Sequence, residues 1–526
     1  MFVRRSIYNF ASEISTFPRN QIFSSISTRS ISSTTASPTG HGITIYWSDR
    51  AEPSYFHARW LWHNRPETLQ AGSGQRVQPA WAIPLEASVQ QVHLTDDQVQ
   101  VQWHDGTCSV WPVADLAASD YSLPTLLQLD AAQLHPERLH PDMPAVQWVG
   151  PTGKATHVER AELTTGRRPK IDWAQLRDVV PPFPGATAAD ACAADACSLH
   201  NTADDPPANL PTIQWDEYAH SAAGLEQALT QIATHGLVIV QGMPVELGTV
   251  RTAAERIAPV QDTIYGQTFD VVAEPGSSPI NAAYSTVRLD LHVDLVYYES
   301  PPGLQFLHAV RFDDEVTGGE STFQDVFACA YQFAVAHPEA FQLLCTVPIS
   351  HAKIHMQRAR PVHMTYTAPI FQVAPSLSGA GPPQIVRINW SPPFEAPLRV
   401  HPSLVNGYYD AYIAWARFMA QKHAQPNAVP LEAGGFMRHR LQQGECAIFN
   451  NRRVLHGREE FALPAESKPA APGQSTYPRH LQGAYVNIDD FRSQLAVLQR
   501  KRQGLTNTLG TMSPTVVRGV GNSSWT

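Results

Sequence analysis

Residues 289–299 read LDLHVDLVYYE, and His292-Val293-Asp294 within them is the sharpest local signal in the chain. Residues i and i+2 of a strand point to the same face. The spacing therefore predicts a strand that offers an imidazole and a carboxylate side by side. A third group has to arrive from another strand, so a long gap is expected; His456, in FNNRRVLHGRE (449–459), is the candidate. Two imidazoles and one carboxylate on one side of a metal leave the opposite face open to substrate and O2, the facial arrangement of non-heme Fe(II) oxygenases. Taken alone, His-x-Asp is a weak sign. The chain has 22 histidines, and the same pair fits a solvated strand face.

Outward from this stretch, residues 212–499 read as one block. Apolar residues recur at helical spacing over 225–234, and a strand over 237–240 follows the His235-Gly236 break. Residues 304–311, 321–324, 384–390, 445–450 and 481–486 are strand-like, with helices over 326–336 and 402–423 between them. Strands that return after long insertions predict a mainly β, double-sheet barrel with flanking helices rather than βαβ units. No G-x-G-x-x-G follows a strand and no Walker loop occurs, so dinucleotide and nucleoside-triphosphate readings have no support.

Residues 44–118 predict a small, self-contained β-rich module, with strands over 43–47, 58–63, 91–94, 98–103 and 109–112. Residues 119–180 form a connecting region, 181–211 a Pro-, Ala- and Asp-rich insertion, and 500–526 a tail. Residues 1–38 carry four arginines, ten serines and one acid, Glu13. That is the composition of a mitochondrial transit peptide; the alternative is a tail that targets nothing, in a cytoplasmic protein. The chain has 526 residues and 43 prolines, an excess that goes with inserted loops. Its net charge of −9 argues against a general nucleic-acid binder. No apolar run is long enough to span a membrane, and the six scattered cysteines contain no C-x-x-C.

A set of motifs surrounds the His-x-Asp: IYGQTFDV (264–271), NAAYSTVRLDLHVD (281–294), PPGLQFLHA (301–309) and VTGGESTFQD (316–325), then VRINWSPPF (386–394), FNNRRVLHGR (449–458) and RHLQGAYVNIDD (479–490). In this order they resemble the Fe(II)/2-oxoglutarate oxygenases of the taurine-dioxygenase type, and within them the gamma-butyrobetaine and trimethyllysine dioxygenase family. The resemblance implies a double-stranded β-helix (jelly-roll) core over 212–499 and an accessory domain over 44–118, which FHARWLWHN (56–64) opens. It implies Fe(II) held by His292, Asp294 and His456, with 2-oxoglutarate and O2 as cosubstrates. Arg479 matches the arginine that pairs with the distal carboxylate of 2-oxoglutarate, a task suited to a permanently charged fork. Ser321 matches a second cosubstrate contact, and Arg458 is a rival for the carboxylate.

The implied reaction is hydroxylation of a small quaternary-ammonium acid, gamma-butyrobetaine to carnitine. Trimethyllysine hydroxylation, tailoring of a secondary metabolite and a catalytically silent binding protein are the alternatives. A quaternary ammonium cannot donate hydrogen bonds and is held by aromatic faces. Tyr265, Phe269, Tyr284 and Tyr485 match the cage, and Asn281 and Asn389 the amides that orient the carboxylate. Two departures bear on the substrate: Phe269 stands where the family has Trp, and Leu295 where it has Tyr, with Tyr297 or Tyr298 as compensation. A third concerns zinc. HNRPETLQ (63–70) lacks the family's cysteine cluster, so no structural zinc is expected, and a site rebuilt from His57, His63 and His104 is the alternative. The partners expected are a small betaine-type molecule and, from the resemblance, a second copy of the chain, with neither nucleic acid nor membrane.

Overall fold

The computed structural model describes residues 30–70, 73–95, 97–126, 210–273, 281–356, 358, 360–374, 384–464 and 475–504. Residues 1–29 of the leader, 127–180 of the connecting region, 181–209 of the insertion 181–211 and 505–526 of the tail lie outside them. Two sheets build the part that carries the His-x-Asp. The larger has six strands in the order Thr212–Gln214, Leu237–Gln241, Cys446–Asn450, Leu304–Phe312, Arg479–Val486 and Thr268–Val271. The smaller has four, in the order Leu289–His292, Val454–Arg458, Ser321–Asp325 and Phe436–His439.

Alternation along each strand decides which side chains meet. On the central strand, Leu304 and Phe306 face one way and pack with Leu225, Leu229, Ile232, Phe491 and Leu495. Leu307 and Ala309 face the other way and pack with Phe323, Met437 and Val454 of the four-stranded sheet. The covering helix, Ala222–His235, presents Leu225, Ala228, Leu229 and Ile232 at helical spacing. It starts where Ser221 accepts from Gly224 N and stops at Gly236, which takes the left-handed φ of 84°.

The N-terminal region contains two three-stranded sheets, Ile31–Ala36, Gly42–Trp47 and Ser54–His57, then Val89–Leu94, Gln98–Trp103 and Cys108–Pro112. Three expectations need correction here. Residues 58–63 form an α-helix, Ala58–His63, rather than a strand. Trp60 and Leu61 are buried on it, and its indole reaches the carbonyl of Leu398 at 2.9 Å, so packing overrides the local β-like pattern. The strand Ile31–Ala36 occupies the end of the segment read as leader and pairs with Gly42–Trp47. Nor is the module self-contained. Its Phe56 and Trp60, with Tyr121 just beyond it, belong to one apolar cluster with Tyr408, Tyr409, Tyr412 and Trp415 of the helix Val405–Ala420.

Candidate active site

His292 ends its strand, and His456 sits directly across from it in the antiparallel pairing. Asp294 lies beyond the strand end, in a turn, so the same-face argument names the right residues through a different geometry. The turn is tight. Leu295 takes a left-handed φ of 54°, a conformation that costs a residue with a Cβ on the order of 1 kcal/mol. Asn451 holds it in place: Oδ1 accepts from Asp294 N at 2.9 Å, and Nδ2 donates to the Asp294 carbonyl at 3.1 Å.

His292, Asp294 and His456 each offer a ligand atom within 4.8 Å of the others. The His292 Nδ1 lies 2.8 Å from the Asp290 carbonyl, which makes Nδ1 the donor and aims Nε2 at the other two groups. Nε2 of His292 is 3.3 Å from Asp294 Oδ1, and Nε2 of His456 is 3.7 Å from Oδ2. Burial opposes ionisation of Asp294. The two imidazoles and a hydrogen bond from Tyr485 outweigh it and hold the carboxyl well below the usual range. Burial, with His292 beside it, lowers His456 to about 3, so its imidazole is neutral and able to donate a lone pair. A half-buried carboxylate and two buried imidazole nitrogens converging on one point fit a ferrous ion.

The Asp294 carboxylate has two further partners. Gln305 Nε2 donates to Oδ2 at 2.7 Å and Tyr485 Oη at 2.8 Å, leaving Oδ1 the less engaged oxygen. Gln305 and Asn451 escaped the sequence reading, although both stand in the motifs already quoted. The signal for Gln305 is its parity with Leu307 on an inward-facing strand surface.

Arg479, Leu481 and Tyr485 share the inner face of the neighbouring strand and line the same cavity as the three ligand residues. The Arg479 head is buried between the Phe312 and Phe461 rings, 5.1 and 4.9 Å from their centroids. Its only hydrogen bond among the described residues is from Nη2 to the Gly319 carbonyl at 3.3 Å, and Nε has no partner. Burial, with Arg440 nearby, lowers its pKa to about 10. Gly319, at a φ of 78°, leaves room for the head; a Cβ there would lie 3.1 Å from Arg479 Nε. A buried, under-partnered guanidinium at a cavity wall fits a carboxylate ligand. Arg458 is differently engaged: its two Nη atoms donate to the carbonyls of Ala283, Ser285 and Val287. Ser321, across the ladder from Arg458, also lines the cavity.

Tyr265, Phe269, Tyr284, Tyr485 and Asn281 line that cavity too. Phe269 stacks on Tyr485 with centroids 5.0 Å apart, and it lies over Gly483, where a Cβ would come within 2.2 Å of its ring. Asn389 is the exception and corrects the expectation. It is not on the cavity wall; its Oδ1 accepts from Arg387 Nε at 2.7 Å and its Nδ2 donates to the Pro369 carbonyl at 2.8 Å. Tyr297 and Tyr298 are not on the wall either, although Tyr297 Oη comes within 3.4 Å of Tyr265 Oη. The wall does include residues 75–78 of the N-terminal region. His63, near the missing cysteine cluster, lies against Tyr409 Oη at 3.2 Å.

Residues 202–485 match the family described as taurine catabolism dioxygenase TauD, TfdA. The chain belongs to this family and is an Fe(II)- and 2-oxoglutarate-dependent dioxygenase. It is 28% identical to a gamma-butyrobetaine dioxygenase of Pseudomonas sp. (strain AK-1), over 87% of this chain and 94% of that one. It is 30% identical to the dioxygenase str8 of Strobilurus tenacellus, over 51% of this chain and 57% of that one. A trimethyllysine dioxygenase of Meyerozyma guilliermondii is 25% identical, over 59% of this chain and 70% of that one.

Proposed function

We propose that this enzyme hydroxylates a small quaternary-ammonium acid, gamma-butyrobetaine by preference. One observation carries the reading. Four aromatic rings, Tyr265, Phe269, Tyr284 and Tyr485, share one cavity with His292, Asp294 and His456. Ring faces attract a cation that has no proton to donate, and their nearness to the metal ligands sets which carbon is exposed to oxidation. Similarity to a gamma-butyrobetaine dioxygenase over 94% of that protein's length supports the same substrate class.

In this reading His292, Asp294 and His456 hold the iron, and Gln305, Tyr485 and Asn451 keep Asp294 oriented. Arg479, with Ser321, receives the distal carboxylate of 2-oxoglutarate. When bound, the iron with 2-oxoglutarate supplies the oxidation: one atom of O2 enters succinate as CO2 leaves, and the other enters a substrate C–H bond as hydroxyl. The two sheets are read as the walls of a double-stranded β-helix, with the N-terminal strands as an accessory domain. A mitochondrial location and a homodimer complete the proposal; the composition of the leader supports the first.

A second substrate reading has a specific observation behind it. With Asn389 turned away and Leu295 in place of Tyr, the acid end of the substrate meets fewer polar groups than the family pattern supplies. That favours another cationic metabolite, one without a carboxylate end, over gamma-butyrobetaine and trimethyllysine alike. Succinate release with Fe(II), 2-oxoglutarate and a panel of gamma-butyrobetaine, trimethyllysine and neutral analogues tests the choice. Fastest turnover on a neutral analogue would remove the cage reading.

A further inference from the structure

The segment 281–287 carries Asn281 and Tyr284 to the cavity, yet it forms no strand and has only a short 3-10 turn, Ala282–Tyr284. Apart from that turn and the Thr286 carbonyl, which accepts from Phe461 N at 3.1 Å, side chains from elsewhere satisfy its peptide groups and set its position. On one side Arg458, two residues beyond the His456 ligand, takes the carbonyls of Ala283, Ser285 and Val287. On the other side stands the N-terminal region. Gln75 is 4% exposed, and its side-chain oxygen accepts from the buried Ala282 N–H. Gln70 Nε2 donates to Ser285 Oγ at 3.2 Å.

Gln75 is itself fixed. Its carbonyl accepts from Gln70 N at 2.8 Å and its N–H donates to Ser73 Oγ at 3.3 Å. Next to it, Arg76 donates to Asn64 Oδ1 at 3.1 Å and lies 3.9 Å from the Glu395 carboxylate. The acceptor offered to Ala282 is therefore held by a rigid support outside the residues that match the family.

We propose that Gln75 is a positioning residue for substrate recognition: through Ala282 it places Asn281 and Tyr284, so the N-terminal strand-rich region takes part in choosing the substrate. Asn281 transmits the placement. Its Oδ1 accepts from Ala283 N at 3.0 Å, and its Nδ2 donates to Tyr265 Oη at 2.9 Å, so one misplaced turn disturbs two rings. The inference rests on the reading that these residues face the substrate.

The test compares full-length Gln75→Met, which keeps the side chain's length and loses the acceptor, with Gln75→Glu, which keeps a carboxyl oxygen there. Gln75→Met should speed hydrogen exchange at the Ala282 amide by about 10-fold, because a lone buried N–H loses its acceptor. It should also raise the KM for gamma-butyrobetaine by about 10-fold and lower hydroxylated product per succinate, with the KM for 2-oxoglutarate within about 2-fold. Gln75→Glu should bring all of these to within about 3-fold of the unaltered enzyme. Unchanged exchange and KM in Gln75→Met overturn the proposal. So does a parallel rise in the KM for 2-oxoglutarate, or a Gln75→Glu as impaired as Gln75→Met. If Gln75→Met does not fold, Gln70→Ala decides: a selective rise of about 3-fold in substrate KM supports the clamp, and no change overturns it. An unaltered enzyme inert toward gamma-butyrobetaine sinks the substrate reading alone, because exchange at Ala282 is read without substrate.

Discussion

Gln305 donates its side-chain amide to Asp294 Oδ2 at 2.7 Å, across the gap between the two sheets. The contact makes Gln305 a partner of the metal site although it cannot itself be counted among the ligands. Such outer partners orient a carboxylate and tune its basicity, and their loss costs about 10- to 100-fold in metal affinity or activity. Gln305→Met should weaken Fe(II) binding in that range while leaving the fold intact. Anaerobic Fe(II) titration in the presence of 2-oxoglutarate measures it. Unchanged affinity would reduce Gln305 to a packing residue.

His292→Ala and His456→Ala each remove one of the two imidazoles and should abolish succinate release. The visible charge-transfer band of the iron–2-oxoglutarate complex should disappear with it. Activity surviving in either variant would show that the metal is held elsewhere.

Arg479 and Arg458 are separated by what their heads touch. Among the described residues the Arg479 head has one long hydrogen bond, and Arg458 has its Nη atoms on three carbonyls. Arg479→Lys should raise the KM for 2-oxoglutarate by roughly 10- to 100-fold, since an ammonium cannot grip a carboxylate with two parallel bonds. Arg458→Met should instead destabilise the protein by about 3 kcal/mol, by stripping buried carbonyls of charged donors. Steady-state kinetics and urea unfolding on both variants make the comparison; a reversed pattern exchanges their roles.

The aromatic cavity makes a charge-specific prediction. Tyr284→Leu keeps apolar area and removes the ring face, so binding of gamma-butyrobetaine should fall by about 10- to 30-fold, near 2 kcal/mol for a desolvated cation. Binding of an analogue with uncharged tert-butyl in place of trimethylammonium should change little. Equal losses for both ligands would indicate shape rather than charge recognition.

Glu395 links pH to stability. It is buried where the N-terminal region meets the helix Val405–Ala420; Tyr412 Oη donates to both its oxygens, and Arg76, His63 and His351 flank it. Burial raises its pKa to about 7, with Arg76 and the Tyr412 hydrogen bond pulling it back. A carboxyl raised in the fold favours the folded state fully below its unfolded pKa and loses that contribution as pH rises toward 7. Glu395→Gln should therefore flatten the decline in stability between about pH 4.5 and 7, a span worth roughly 3 kcal/mol at most. Urea melts at pH 5 and pH 8 test the slope; the same slope in both proteins would exclude Glu395 as its source.

Much of this site was legible from residue type and spacing. The His-x-Asp pair, the distant His456, Arg479 and the tyrosines all stand in motifs that can be read in order along the chain, because each needs a particular functional group. The errors fall where a neighbour from far away decides the outcome. Ala58–His63 has the β-branch-poor but aromatic pattern of a short strand, and Trp60 makes it a helix by packing against the helix Val405–Ala420. Asn389 has the right amide for a carboxylate, but Arg387 and the Pro369 carbonyl engage both of its ends.

The sequence by itself determined which chemical groups are on offer: imidazoles and a carboxylate suited to a ferrous ion, a guanidinium suited to a carboxylate and rings suited to a cation, since these follow from atom type and protonation. Only the tertiary structure decided who supports them. Gln305 behind Asp294, Asn451 on the turn, Arg458 and Gln75 on either side of residues 281–287 are ordinary polar residues in the sequence. They acquire a role because a buried donor or acceptor must find a partner, and that partner is set by the pairing of distant strands.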